Sequence, residues 1–455
     1  MKRAVRLIAY AGAGAAAATG LLCLSVLLAL ASVGVFATAR DGWTTEVPVA
    51  GFAMRVNVTG LLRLATLPGA AHLLDGRSIQ TRAGPVSFAR TGLALRVTCA
   101  PCRLEHPDLA AVPLQLRSIA LELLRTGDEL DGRLVVDRVD VPFKARMRAS
   151  GIDLAWTLPS TELASLYGAL GETVPEAAFA RIEGRVAARG TLSLPSLRTS
   201  VNWSADNLEV GGLGTERLQY GWFRFACAQP DGTARLAISG DGEGTWTAAD
   251  ALGPYLAAAV LAAEDQRFHA HRGYDEREIA AILADFGRGG PKRGGSTITQ
   301  QLARTLYTGG DRTAVRKLRE LLYAIEMERT LGKARILELY LNTVDWGPGL
   351  CGARAAARAY FRKSPARLTA IEAAWLAGIL RNPHTAWEQQ YATRQPDRAR
   401  AVRVLMQMRA WPMRERRRWT AQPIAFAPAA AKPSTAAPGP AAARREAVPP
   451  LRASR

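Results

Sequence analysis

Glu264-Asp265-Gln266-Arg267-Phe268-His269-Ala270-His271-Arg272-Gly273-Tyr274-Asp275 is the stretch on which the reading of this chain turns. Ala257, Leu261, Glu264 and Phe268 recur at four-three-four spacing, so a helix would set all four on one face with the acid among apolar neighbours. Partial burial disfavours a charged carboxylate and raises its proton affinity, the direction needed in a group that accepts a proton near neutral pH. By itself, an acidic pair closing a helix is an ordinary solvated surface feature. Its weight comes from three further blocks, all C-terminal to it.

These are Gly294-Gly295-Ser296-Thr297-Ile298-Thr299-Gln300-Gln301-Leu302-Ala303-Arg304, then Arg316-Lys317-Leu318-Arg319-Glu320, then Ile336-Leu337-Glu338-Leu339-Tyr340-Leu341-Asn342. The glycine pair and Ser296 read as a turn into a helix N-terminus, where free N–H groups favour anions. On that helix Thr297, Gln301 and Arg304 fall at i, i+4 and i+7 and could line one groove. Glu320 lies one turn after Arg316 and Lys317. The plain reading is a solvent-exposed ion pair, although cation-first is the less favourable order on a helix.

Together and in this order, the blocks resemble glycosyltransferase family 51, the peptidoglycan glycosyltransferases that polymerise lipid II. The resemblance runs from about Ala251 to about Pro412 and implies a mostly helical, lysozyme-like domain. It implies that Glu264 is the base, deprotonating the acceptor GlcNAc 4-hydroxyl as that oxygen attacks the donor MurNAc C1 with inversion. It implies that Glu320 is the second essential acid, and that Arg316 and Lys317 contact the lipid-linked pyrophosphate. By the same likeness Asp265, Phe268, His271, Ser296, Thr297, Gln300, Gln301 and Arg304 serve substrate binding. No cofactor is required on this reading, although a divalent cation such as Mg at the pyrophosphate is compatible with it.

Trp346-Gly347-Pro348-Gly349 and the run from Gly352 to Tyr360-Phe361 resemble later blocks, nearer to the monofunctional transglycosylases than to the bifunctional penicillin-binding proteins. Departures from the family pattern are Arg304 for Lys, Arg362 for Gly before Lys363, Gly332 for Ser before Lys333, and a linker between the first two blocks that lacks the family's usual Arg. They bear on turnover and donor grip rather than on reaction type. No Lys follows a Ser by three positions and no Lys-Thr-Gly occurs, so a penicillin-binding transpeptidase is not expected.

Outward from these blocks, 455 residues suffice for two or three domains, and an apolar fraction of 48% supports real cores. The net charge of +19 calls for an anionic partner. Nucleic acid is not that partner, because no DNA- or RNA-binding signature occurs and the aromatics do not interleave with the basic residues. Lipid II, the growing lipid-linked glycan strand and membrane lipid fit instead, with cell-wall synthesis proteins as further partners.

Lys2, Arg3 and Arg6 precede an uncharged stretch from Leu7 to Ala39, longer than the roughly 20 residues that cross a bilayer. It predicts an N-terminal transmembrane anchor with everything after Arg40 outside the cytoplasm. Ala37-Thr38-Ala39 imitates a cleavage site, which leaves removal of the segment as the alternative.

From Asp41 to Thr247 short alternating runs dominate, clearest in Val139 to Ala149, where an apolar face alternates with Asp140, Lys144, Arg146 and Arg148. Similar runs recur at Leu93 to Thr98, Ile182 to Leu194 and Tyr220 to Ala226, and Asp131-Gly132 reads as a hairpin turn. Only Leu163 to Ala169 looks helical. This predicts a β-rich extracytoplasmic domain, loosely similar to the sheet-forming parts of AsmA-like envelope proteins. Cys99-Ala100-Pro101-Cys102 has no second pair to complete a zinc site and reads as a local disulfide, whereas Cys227 and Cys351 read as small buried residues.

The expected architecture is thus a multidomain α+β chain. Residues 1–40 form the cytoplasmic leader and anchor, 41–247 the β-rich domain, 248–412 the glycosyltransferase domain, and 413–455 a basic, Ala/Pro-rich disordered tail. Localisation is expected at the cytoplasmic membrane, with the catalytic domain on the periplasmic side. Two rival readings are a glycan-cleaving lysozyme-like hydrolase and a non-catalytic envelope scaffold with a degenerate transglycosylase domain. The basic blocks speak against the hydrolase, which has no pyrophosphate to hold.

Overall fold

The computed structural model describes residues 44–49, 52–105, 107, 109–148, 151–194, 196, 198–229, 231, 233–240, 246–277, 295–310 and 313–427. The anchor expected at 7–39 lies outside the described residues. Among those residues no helix is long and apolar enough to cross a membrane.

The N-terminal half is built on strands. A hairpin, β1 (Thr44–Val49) with β2 (Phe52–Asn57), precedes helices α1 (Val58–Ala65) and α2 (Pro68–Leu74). A nine-stranded antiparallel sheet comes next, in the order β13-β12-β11-β10-β9-β8-β5-β4-β3. Its strands are β3 (Ser78–Thr81), β4 (Gly84–Thr91), β5 (Ala94–Cys99), β8 (Ile119–Thr126), β9 (Glu129–Val136), β10 (Val139–Arg148), β11 (Gly151–Glu162), β12 (Arg181–Leu194) and β13 (Arg198–Gly211). The small pair β6 (Cys102–Leu104) and β7 (Leu114–Leu116) interrupts this meander, and Cys99 is disulfide-bonded to Cys102 at the crossing. The strand expected at Val139 is observed. Its outward Arg146 pairs across the sheet with Glu129, while Ala145 and Met147 are buried with Leu130 and Ile152.

Asp131-Gly132 is not a turn, because it sits inside β9 with Gly132 registered against Phe143. A Cβ on Gly132 would stand 2.2 Å from the Phe143 ring, and one on Gly190 of β12 would stand 2.3 Å from the Ser200 carbonyl oxygen and 2.9 Å from Trp156. Gly132 therefore makes room for a neighbouring aromatic ring, and Gly190 for the adjoining strand as well as a ring, rather than for a bend.

The second half is helical: α4 (Pro254–Glu264), α5 (Ile298–Ala303), α6 (Ala314–Thr330), α7 (Gly332–Thr343), α8 (Ala353–Phe361), α9 (Ala370–Ile379), α10 (Pro383–Ala386), α11 (Arg398–Gln407) and α12 (Met413–Trp419), with α3 (Leu163–Gly168) the one helix between sheet strands. Thr369 and Glu372 close a reciprocal capping box at the start of α9, as the spacing predicts. Helix α9 is buried all round, and α4 and α11 pack against it. Trp346, Trp375, Tyr340 and Tyr360 are the largest fully buried side chains of this core.

Helix α6 belongs to both halves. Its Tyr323 and Met327 join the helical core, while Val315, Leu322 and Ile325 pack with Leu114, Leu163, Tyr167, Val174 and Val210 of the β-rich part. Polar ties run along the same seam. Arg319 grips Glu176, which is only 2% exposed, through Nη2 at 2.7 Å and Nε at 2.9 Å. Glu326, also buried, accepts from the Leu213 N–H at 2.9 Å and from the Thr215 hydroxyl at 3.0 Å. The β-rich part is thus not a detached spacer.

Two boundaries differ from expectation. The hairpin β14 (Trp222–Ala228) with β15 (Ala234–Gly240) pairs only with itself and packs Phe223 and Phe225 toward the helices, where Phe223 meets Trp246 edge-on at 6.4 Å. Cys227, expected as a lone buried residue, is disulfide-bonded to Cys351 across 124 positions, so the hairpin belongs with the helical unit. At the other end, the tail expected to be disordered from 413 stays folded to Ala427. Trp419 packs on Tyr255 at 5.2 Å, Phe426 on Trp375 at 4.8 Å, and the Ala427 N–H donates to the Tyr360 carbonyl at 2.7 Å. Two aromatic anchors there outweigh the scarcity of branched apolar residues. Residues 428–455 lie outside the described part.

Candidate active site

Helix α4 ends on Glu264, and the expected stripe through Phe268 breaks there because the chain leaves the helix at Asp265. The cause is local. Asp265 Oδ2 accepts the first N–H of α5, from Ile298, at 3.0 Å, and both carboxylate oxygens lie 3.0 Å from His271 Nε2. The Gly273 N–H donates to His271 Nδ1 at 3.2 Å, which leaves Nε2 as the proton-bearing nitrogen facing Asp265. Phe268 lies beneath, 1% exposed, with the Lys333 ammonium 4.3 Å above its ring.

Thr297 caps α5 in a reciprocal box with Gln300, and its hydroxyl donates to the Gly273 carbonyl at 2.7 Å. Asp265, Phe268, His271, Thr297 and Gln300 are all buried. The residues read from sequence as substrate contacts therefore divide in two. These five are buried and form a framework locking the first block to the second.

On the surface the structure unites the rest. Gln301 Nε2 donates to Glu264 Oε2 at 3.0 Å and stands 3.4 Å from the Ser296 carbonyl. Lys317 Nζ donates to Ser296 Oγ at 2.5 Å and to Glu320 Oε2 at 2.8 Å. One chain of polar contacts thus runs from Glu264 through Gln301, Ser296 and Lys317 to Glu320. Glu320 is not the solvent-exposed partner of the plain reading. It is 1% exposed and takes Arg316 on one oxygen and Lys317 on the other. Arg316 Nε is buried without a hydrogen-bond partner among the described residues.

Half-burial raises the proton affinity of Glu264 above the ordinary glutamate range, against the Gln301 hydrogen bond and the charges of Arg400, Arg304 and Arg381, which lower it. Its place at the negative end of the α4 dipole acts in the raising direction too. Burial likewise pushes the Lys317 ammonium down, while Glu320 pulls it up. Arg304 is exposed at the turn after α5.

Three contributors were not singled out from sequence. Tyr340, fully buried on α7, donates its hydroxyl to Gln301 Oε1 at 2.8 Å, and burial holds its phenol well above the ordinary value, so it remains a donor. Arg381, in the segment after α9, and Arg400 of α11 act on Glu264 through their charge alone. A cation next to the Asn382-Pro383 break was a weak signal for Arg381. Arg400, flanked by Arg398 and Arg403, offered none.

Such a site can accept a proton at one end and hold a polyanion at the other. Residues 232–409 match the family model described as Transglycosylase. The chain is 41% identical over 167 residues to a biosynthetic peptidoglycan transglycosylase of Chromobacterium violaceum, spanning 36% of this chain and 72% of that protein. The relative from Rhodospirillum centenum, with the same description, is 43% identical over 160 residues, 35% of this chain and 69% of its own length. For the Brucella suis biovar 1 relative the figures are 44% over 138 residues, 30% and 62%. The chain thus spans under two thirds of the Brucella suis protein, and the family match begins at residue 232, after the nine-stranded sheet.

Proposed function

The chain belongs to the transglycosylase family, and from that premise we propose that it polymerises lipid II into glycan strands and releases undecaprenyl pyrophosphate. The observation that carries the reading is the polar chain linking half-buried Glu264 to the Arg316–Lys317–Glu320 cluster. Glu264 Oε1, not engaged by Gln301, takes the proton of the acceptor GlcNAc 4-hydroxyl. That oxygen forms its bond to MurNAc C1 on the face opposite the departing pyrophosphate, and the C1–O electron pair leaves with the phosphate, inverting the centre. The Lys317 and Arg316 cations face the charge that builds on the leaving group, with buried Glu320 holding both in place.

No group of three His, Cys, Asp or Glu side chains able to hold a metal ion occurs among the described residues. The cleft's own carboxylates are already engaged, Glu264 by Gln301 and Glu320 by two cations, so a divalent ion would be carried by the pyrophosphate oxygens. The side chains of this chain would then supply the remaining positive charge.

The apolar stretch 7–39 is read as an anchor that keeps the domain at the outer face of the cytoplasmic membrane, where a lipid-linked substrate is confined. The disulfides Cys99–Cys102 and Cys227–Cys351 support an oxidising compartment. No transpeptidase activity is part of the proposal.

Glu264→Gln tests it. Polymerisation of lipid II in vesicles is expected to fall at least about a hundredfold with an unchanged circular dichroism spectrum. Retained polymerisation would remove the base assignment, and absence of polymerisation by the unaltered chain would remove the function.

A further inference from the structure

A two-stranded hairpin lying on a helical core ordinarily shows an apolar inner face and a polar outer one. The β14–β15 hairpin does not. Its inner face sends Phe223, Phe225 and Cys227 into the core. The outer positions are Trp222, Arg224, Ala226 and Ala228, registered against Gly240, Ile238, Leu236 and Ala234. Trp222 is 59% exposed, Leu236 56% and Ile238 42%, and Tyr220 just before the hairpin is 78% exposed. Arg224 is the one charged residue on this outer face, with its guanidinium 5.7 Å from the Trp222 ring. Asp231 at the tip turns in on the N–H and hydroxyl of Thr233.

The face is also held firmly. The Cys227–Cys351 disulfide and a 3.0 Å bond from the Gly349 N–H to the Ala228 carbonyl fix one end, and Phe223 against Trp246 fixes the other. The strand β14 touches the turn Arg304–Thr308 that continues α5, the helix carrying Gln301. The hairpin therefore adjoins the segment that continues the helix carrying Gln301.

We propose that the outer face of the β14–β15 hairpin is a membrane-interface surface that seats the cleft edge among lipid headgroups. Trp and Tyr rings with one polar edge, aliphatic side chains between them and a flanking guanidinium are the composition that the headgroup region favours. Charge separates this occupant from a second copy of the chain. Two such faces brought together would confront arginine with arginine and offer neither an acid, whereas anionic headgroups complement Arg224. The inference rests on the lipid-linked substrate proposed above only for why a bilayer should lie at this edge.

The full chain, reconstituted in phosphatidylcholine–phosphatidylglycerol vesicles carrying a shallow spin-labelled phospholipid, tests the surface without any substrate. Trp222 emission is expected to be quenched, so that Trp222→Phe removes a quenched component from the total. Equal quenching in both proteins would put Trp222 in water and overturn the proposal. A Leu236→Glu, Ile238→Glu variant is expected to lose the same component, and to lose about tenfold in lipid II turnover in vesicles while keeping its turnover in detergent. Equal loss in detergent would mean damage to the cleft rather than to seating and would count against the surface. So would concentration-dependent self-association of the detergent-solubilised chain that the glutamates abolish. Quenching is read independently of turnover, so an inactive but normally quenched protein would sink the enzymatic reading and leave the surface standing.

Discussion

Gln301 holds Glu264 from above while Tyr340 holds Gln301 from behind: the amide donates to Glu264 Oε2 at 3.0 Å and accepts the Tyr340 hydroxyl at 2.8 Å. The phenol fixes which end of the amide faces the carboxylate, so Gln301 presents a donor and leaves one oxygen of Glu264 to act. Tyr340→Phe should therefore cut kcat for lipid II polymerisation about tenfold with KM little changed, since it misorients a group without touching substrate. Initial rates across substrate concentration check the split.

The raised proton affinity of Glu264 makes a paired prediction for activity and stability. If the carboxylate is the base, the acid limb of the rate profile should lie above the ordinary glutamate range. Gln301→Ala should move that limb further up, because the lost hydrogen bond favoured the charged form. For stability, the folded chain keeps a proton at pH values where the unfolded chain has released it. Stability then falls as pH rises from the ordinary range through the raised value. Glu264→Gln escapes this penalty and should melt higher than the unaltered chain near neutral pH, with the difference gone by about pH 4. Thermal melts at the two pH values decide it.

Arg319 lies on the helix that carries Glu320, and Arg319→Ala would strand Glu176 of the β-rich part in a buried setting. The expected cost is about 3 kcal/mol of stability, read from urea unfolding. Partial rescue by Glu176→Gln in the same chain would show that the uncompensated charge, rather than lost packing, is responsible.

Cys227 and Cys351 close a loop of 124 positions. Replacing either with Ser should lower stability by about 5 kcal/mol on chain-entropy grounds, and reductant should lower the melting temperature of the unaltered chain by more than that of the variant, which keeps only the short Cys99–Cys102 bridge. Differential scanning calorimetry with and without dithiothreitol measures it.

How much could be read in the sequence depends on how far apart the cooperating residues lie along it. Helix starts set by neighbours three residues apart, such as Thr369 with Glu372, were legible, and so was the alternation through Val139–Arg148. Both acids and the cationic pair, which the structure joins in one polar chain, stand out in the sequence because they lie in compact blocks. Gly132 was misread because its reason is Phe143 on the next strand, and Cys227 because its partner is 124 positions away. The buried rank of Asp265, His271, Thr297 and Gln300 was hidden for a related cause. A block reveals which residues cooperate but not which of them end up under the floor. Arg381 and Arg400 come to act on Glu264 only through the packing of the last helices.

Helix α6 also constrains how the molecule can be made. The ribosome releases Leu163, Tyr167, Val174 and Glu176 well before residues 314–330, against which they close. Until that helix emerges, the nascent sheet presents an uncovered apolar seam and an unanswered carboxylate, the kind of surface that holding chaperones retain. Completion of the β-rich part thus waits on the segment that bears the cationic cluster, and a chain halted before residue 314 would be expected to enter the degradation route rather than persist as an inert half.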